Sequence, residues 1–205
     1  MKSFVTIGIT GGICSGKNTV AEMLRELGCV MLDTDTIVHD LYKTDEHIRR
    51  EILTVFGRNV LDANGVIVRT KLAQIVFTDT NLLQRLNQIV HPRVRAVIDS
   101  YLAKQEEKQF KGCVGVLVPL LIENNRQSYF DSIALVIADT ETRIKRCMER
   151  NGMSRQEVIA RMRTQLSDEE KKHYADYIID NNGSLEYTRK SVTEMYNNVV
   201  KLIHP

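Results

Sequence analysis

Phe4-Val5-Thr6-Ile7-Gly8-Ile9-Thr10-Gly11-Gly12-Ile13-Cys14-Ser15-Gly16-Lys17 is the stretch that decides the fold. Its first half, Phe4 to Ile9, is apolar and rich in β-branched residues, which predicts a buried strand. Its second half fits G-x-x-x-x-G-K. Just beyond, Val20, Met23, Leu24 and Leu27 recur at i, i+3, i+4 and i+7, the apolar stripe of a helix that Gly28 can stop. Strand, glycine loop and helix in that order are the context this motif needs. Glycines let the loop curl so that successive N–H groups converge, and the helix N-terminus adds partial positive charge. Gly12, Ile13, Cys14, Ser15, Gly16, Lys17, Asn18 and Thr19 therefore read as a cradle for the β and γ phosphates of a nucleoside triphosphate. Lys17 supplies its mobile cation and a catalytic charge. The residue after the lysine in such loops is usually Ser or Thr, whose hydroxyl ligates magnesium. Here it is Asn18. Its amide oxygen is a hard ligand that Mg²⁺ accepts, or the position passes to a water; both readings stand.

Working outward, Cys29 to Leu32 reads as a short buried strand ending at Asp33, Val114 to Val118 as a third strand stopped by Pro119, and Ile133 to Ala138 as a fourth. Tyr177-Ile178-Ile179 is a fifth. Capping-box pairs, Ser154 with Glu157 and Ser167 with Glu170, open two of the helices between them. Apolar strands alternating with helices imply a parallel sheet covered on both faces. The alternation fails between about 40 and 110, where the pattern is mostly helical with a turn at Asp62-Ala63-Asn64-Gly65. The expected fold is α/β, a P-loop NTPase-type three-layer sandwich with a five-stranded parallel sheet. The core covers about 1–40, 111–140 and 173–205, a helical insertion about 41–110, and a helical lid about 141–172.

The chain's 205 residues are 43% hydrophobic, enough for one substantial core but not for two large independent domains. A net charge of +2 gives no global pull toward nucleic acid or an anionic membrane. The apolar start meets glycines too soon to be a signal segment, and no run approaches the roughly 20 apolar residues of a membrane helix. Cys14, Cys29, Cys113 and Cys147 form no C-x-x-C pair. Spacing of this kind favours neither a metal site nor a disulfide framework, and the expectation is four reduced thiols in a cytoplasmic protein.

Two local clusters carry charge. Ligands of open α/β sheets gather at the carboxyl ends of strands, and the second strand ends Asp33-Thr34-Asp35. Residues two apart leave a strand on the same side, so one carboxylate can accept a hydroxyl proton while the other holds hydrated magnesium. The alternative is that both Asp33 and Asp35 cap the following helix. Between Arg143 and Arg163 seven basic residues face two acidic ones, a local +5. Arg143, Arg146 and Arg150 fall on one helical face, Asn151-Gly152 breaks the helix, and Ser154 caps the next. Two short basic helices joined at a glycine suit a hinged lid that brings guanidinium groups onto a transferring phosphoryl group.

Together these features resemble the dephospho-coenzyme A kinase family over nearly the whole chain. The resemblance rests on Thr10 to Lys17, Asp33-Thr34-Asp35, Leu86-Asn87 with His91-Pro92, and Val118-Pro119-Leu120-Leu121-Ile122-Glu123. It continues through Arg146 with Arg150, Arg161 with Gln165, and Ala175-Asp176-Tyr177-Ile178-Ile179-Asp180-Asn181-Asn182-Gly183. It implies phosphoryl transfer from ATP to the ribose 3′-hydroxyl of dephospho-coenzyme A, with Mg²⁺ as cofactor. By position, Asp33 is the implied general base and Lys17, Arg146 and Arg150 stabilise charge. Asn182 joins the ATP site, Asn18 and Asp35 the metal, and Asp33, Asp35, His91, Leu120, Glu123 and Arg161 the acceptor. For His91 a plain turn before Pro92 is the equal alternative. ATP and dephospho-coenzyme A are the expected partners, without nucleic acid or membrane, for a monomer or weak homo-oligomer. His39 departs from the family, which usually has arginine there. Another P-loop nucleoside or nucleotide kinase is the alternative function, and a nucleotide switch lacks its N-K-x-D run.

Overall fold

A computed structural model describes residues 3–76 and 79–203. Strand β1 (Phe4–Thr10) is buried at every position. Its odd-numbered residues Val5, Ile7 and Ile9 enter one apolar cluster with Val20, Ala21, Met23 and Leu24 of helix α1 (Lys17–Glu26). Val192, Met195 and Val199 of helix α9 (Leu185–Lys201) complete that side. The opposite face is set by Gly8, where an added Cβ would lie 2.6 Å from Leu121 and 2.7 Å from Phe130. The missing side chain lets the segment after the third strand lie directly on the sheet.

The other strands are β2 (Val30–Asp33), β3 (Gly112–Leu117), β4 (Ser132–Ile137) and β5 (Tyr177–Asp180). All pairings are parallel, in the order β2-β3-β1-β4-β5. All five expected strands form, with ends moved by a residue or two. One detail differs: β2 is half-buried, not buried, because it lies at the sheet edge. After β4 come α6 (Thr140–Asn151), α7 (Arg155–Arg163) and α8 (Asp168–Lys172). Both predicted capping boxes close, at Ser154 with Glu157 and at Ser167 with Glu170. Gly152 ends α6 in the left-handed conformation, at φ 64°.

Two compact units result, one of residues 1–33 with 106–205 and one of residues 34–105. The second carries α2 (Thr34–Thr44), α3 (Glu46–Phe56), α4 (Arg69–Val76) and α5 (Thr80–Glu107). Asp45 caps α3 by accepting from the amides of His47 and Ile48 at 2.9 and 3.0 Å. The expected turn at Asp62 forms, its carboxylate accepting from Asn64 and Val66 while Leu61 bridges Ile67. His91-Pro92 is not an extended turn. Pro92 lies inside the 28-residue α5. The helix runs through and forgoes the one hydrogen bond that Pro92 cannot donate. Among the described residues no helix is long and apolar enough to cross a membrane.

Candidate active site

The glycine loop follows β1 and delivers Lys17 as the first residue of α1. Its N-cap, Gly16, has φ 103° and offers no side chain to the helix amides. Those amides, with the helix dipole, form an anion-facing terminus. Gly11, at φ 151°, is required by space as well, since a Cβ there would meet the Val136 carbonyl at 2.2 Å. Lys17 Nζ donates to the carbonyls of Gly11 and Gly12 at 2.8 and 2.9 Å. The cation is thus folded onto its own loop, poised to exchange two carbonyl oxygens for phosphate oxygens.

Arginines of α6 brace the loop from outside. Arg143 is buried, donates from Nε to the Ile13 carbonyl at 3.0 Å, and pairs with Asp168 at 3.4 Å. Burial pulls its pKa below the usual arginine range, while Asp168 pushes the other way. Its guanidinium occupies the space of a Gly12 side chain: a Cβ there would lie 2.2 Å from Nη2. Arg146 donates to the Ser15 carbonyl at 3.4 Å and to the Asn181 carbonyl at 2.8 Å. Arg150 is exposed in the last turn of α6, so the three arginines grade from buried to solvent and do not share one environment.

Two polar residues outside the predicted set also hold the loop. Asn181, 3% exposed, donates from Nδ2 to the Ser15 carbonyl at 2.9 Å and accepts from Thr188 Oγ1 at 3.0 Å. Gln165 Oε1 accepts from the Ile13 amide at 2.9 Å. Asn182, expected in the ATP site from sequence, accepts from the Asp139 amide at 2.6 Å and donates to Asp180, fastening β5 to the start of α6. The usable signal for Asn181 was its position directly after a strand carboxyl end, where site residues gather. Gln165 enters the family resemblance beside Arg161, with no role attached to it.

Strand register aligns the second strand end with the loop. Asp33 pairs with Leu117 and Leu117 with Ile9, one row across the sheet. Two interstrand spacings put the backbone of Asp33 about 10 Å from that of Ile9, at the sheet edge where the loop departs. Asp35 does not continue the strand. It lies in the first turn of α2, where strand alternation no longer applies, and belongs to the 34–105 unit. There it pairs with Arg69 at 3.0 Å. His91, in α5, belongs to the same unit. Leu120 is 40% exposed after β3, and Arg161 is exposed in the last turn of α7.

Glu123 is tied down. Its carboxylate lies 2.8 Å from Nζ of Lys171, a lysine with no exposed side-chain surface. A cavity of about 460 Å³ opens beside it, lined in part by Ile122, Glu123, Arg163, Gln165 and Tyr174. Gln165 therefore joins this cavity to the phosphate loop.

One expectation is overturned outright. Cys14 and Cys147 form a disulfide across 133 residues, with Cα atoms 5.7 Å apart. Sequence spacing could not show this, because only the fold brings the loop against α6. Cys29 and Cys113 are free thiols, both buried.

The family profile described as dephospho-CoA kinase matches residues 5–187. The chain is 41% identical over 188 residues to the dephospho-CoA kinase of Carboxydothermus hydrogenoformans, covering 91% of this chain and 90% of that one. A crystal structure from Thermus thermophilus superposes with a TM-score of 0.83 at 35% identity, covering 97% of this chain and 99% of the other. Dephospho-CoA kinase from Campylobacter jejuni superposes with a TM-score of 0.69 at 26% identity, over 97% of this chain and 98% of the other.

Proposed function

The chain belongs to the dephospho-CoA kinase family, and we propose that it transfers the γ-phosphoryl group of ATP to the ribose 3′-hydroxyl of dephospho-coenzyme A. What supports this reading most is the row Asp33–Leu117–Ile9, in which the carboxylate-bearing end of β2 lies across one intervening strand from β1, the strand that opens into the phosphate loop.

Each group has a task. Loop amides and Lys17 hold the β and γ phosphates. Asp33 accepts the proton of the attacking hydroxyl, the task of a positioned general base. Arg146, with Arg150 beyond it on α6, covers charge on the transferring phosphoryl group. The transition state is loose and strongly anionic, so positioning and charge dominate over covalent chemistry. Asn182 shapes the adenine end through the β5–α6 junction. Asp35, His91, Leu120, Glu123 and Arg161 contact the acceptor. A cytoplasmic location and a monomeric or weakly associating state accompany this proposal.

Magnesium suits the donor chemistry present. Asn18 stands next to Lys17 in the first turn of α1 and is exposed. Its amide oxygen is hard, and Mg²⁺ typically takes its other ligands from phosphates and water. Asp35 is a further oxygen donor, already paired with Arg69. When bound, the ion neutralises charge on the β and γ phosphates. Replacing Asn18 by serine is expected to shift the magnesium concentration that gives half-maximal rate. An unchanged magnesium titration assigns that ligand position to a water.

The function is tested with purified protein, ATP-Mg²⁺ and a panel of hydroxyl acceptors, coupled to ADP release. Turnover confined to dephospho-coenzyme A is expected. Equal turnover with nucleosides or nucleoside monophosphates would return the chain to the broader class of P-loop kinases.

A further inference from the structure

Three consecutive residues of the phosphate loop are fastened to neighbouring elements. The Ile13 carbonyl accepts from Arg143 and the Ser15 carbonyl from Arg146 and Asn181. Between them, Cys14 is bonded to Cys147, the neighbour of Arg146 on α6. The hydrogen-bonded fastenings can be exchanged for contacts to phosphate, since a hydrogen bond given up to one partner is remade to another at small net cost. The covalent one cannot. While it stands, α6 is held where Arg146 spends its guanidinium on backbone carbonyls of residues 15 and 181.

We propose that the Cys14–Cys147 bond is a thiol–disulfide exchange site for a dithiol reductant, and that its state gates phosphoryl transfer. The gating rests on the kinase reading above; the exchange site does not. Several observations favour a regulated bond over a passive staple. It joins a nucleotide-binding loop to the helix that carries Arg146 and Arg150, the groups whose approach to phosphate sets the rate. Cys14 has φ 55°, a left-handed conformation that a non-glycine residue rarely adopts, so the bond is attached at a strained position of the loop. The bond is also reachable from one side. Cys147 has no exposed surface, whereas Cys14 is half-buried at the loop.

The exchange is balanced as follows. A thiolate of the dithiol attacks Sγ of Cys14, the Cys14–Cys147 bond breaks, and Cys147 leaves as a thiolate that takes up a proton. The second thiolate of the reductant then attacks its own sulfur in the mixed disulfide, and Cys14 departs and is protonated. Two electrons pass to the protein and the dithiol becomes a cyclic disulfide. The Asn151 Oδ1, 3.8 Å from Cys14 Sγ, stands ready to accept from the new thiol. Cys29 and Cys113 do not take part: the hydrogen bond that the Cys113 thiol makes to Cys29, together with burial, pushes the Cys113 thiol upward and keeps it protonated and inert.

The test compares the wild-type protein, oxidised in air and reduced by dithiothreitol, with Cys147→Ala. Denatured oxidised protein is expected to titrate as two thiols and reduced protein as four, and a non-reduced digest is expected to contain a linked Cys14–Cys147 peptide. Initial rates, taken before the acceptor's own thiol can exchange, are expected to show kcat rising about fivefold to tenfold on reduction, the low end of ordinary site-to-site coupling. Cys147→Ala is expected to match the reduced enzyme and to ignore dithiothreitol. Four thiols in the oxidised sample, equal or lower kcat after reduction, or a response that persists in Cys147→Ala overturns the proposal. Because thiol count and peptide mass need no turnover, failure of the kinase reading is told apart from failure of the exchange site.

Discussion

Asp33→Asn is expected to lower kcat by about 10²- to 10⁴-fold, the usual contribution of a positioned general base. Asparagine keeps the shape and the place at the end of β2 but has no basic oxygen for the hydroxyl proton. ATP affinity is expected to hold, because the phosphates are gripped by the loop after β1, two strands away along the row Asp33–Leu117–Ile9. Equilibrium binding of ATP, measured on the same preparation as turnover, separates the two effects. Turnover within a few-fold of wild type would remove Asp33 from the chemistry. Lost ATP binding would show instead that its carboxylate supports the loop.

The sheet was legible because its evidence is local and periodic. Five apolar runs, two capping boxes and a glycine loop each announce themselves within about ten residues, and parallel pairing follows from their alternation with helices. The glycine loop's place between β1 and α1 was legible for the same reason, since Gly11 to Lys17 form one continuous motif. Failures came where position depends on distant segments. Asp35 looked like a second strand carboxylate, yet the chain turns helical at Thr34 and Asp35 meets Arg69. Arg143 shares a helical face with Arg146 and Arg150 by spacing, yet it is buried against Ile13 and Asp168. Asn181 and Gln165 hold the loop from 166 and 152 residues away, and Cys147 reaches Cys14 from 133. No periodicity encodes such pairings. The Pro92 misreading is of another kind: a local rule against proline was outweighed by packing along a long helix that buries Val90, Val94 and Ile98.

Lys171→Met is expected to be the most destabilising single change in the sheet-containing unit. Lys171 has no exposed surface, and its partner Glu123 is only 15% exposed on its side chain. Removing the cation leaves a largely buried carboxylate without the charge it pairs with, a loss of about 3–5 kcal/mol for a buried pair. In a domain of this size each kcal/mol lowers Tm by roughly 2–4 °C, so thermal unfolding is expected about 6–20 °C earlier. The pairing itself has a diagnostic weakness. Neither Lys171 Nζ nor either Glu123 oxygen makes a well-directed hydrogen bond among the described residues, although nitrogen and oxygen stand 2.8 Å apart. Charge, not geometry, therefore holds the pair. The double change Lys171→Met with Glu123→Gln is accordingly expected to recover most of the lost Tm, because it removes both buried charges together. A Tm unchanged by Lys171→Met alone would mean that Glu123 is answered by water entering the cavity. If the double variant regains its Tm but binds dephospho-coenzyme A poorly, Glu123 contacts the acceptor as well. If it regains both, Glu123 is structural and leaves the acceptor site.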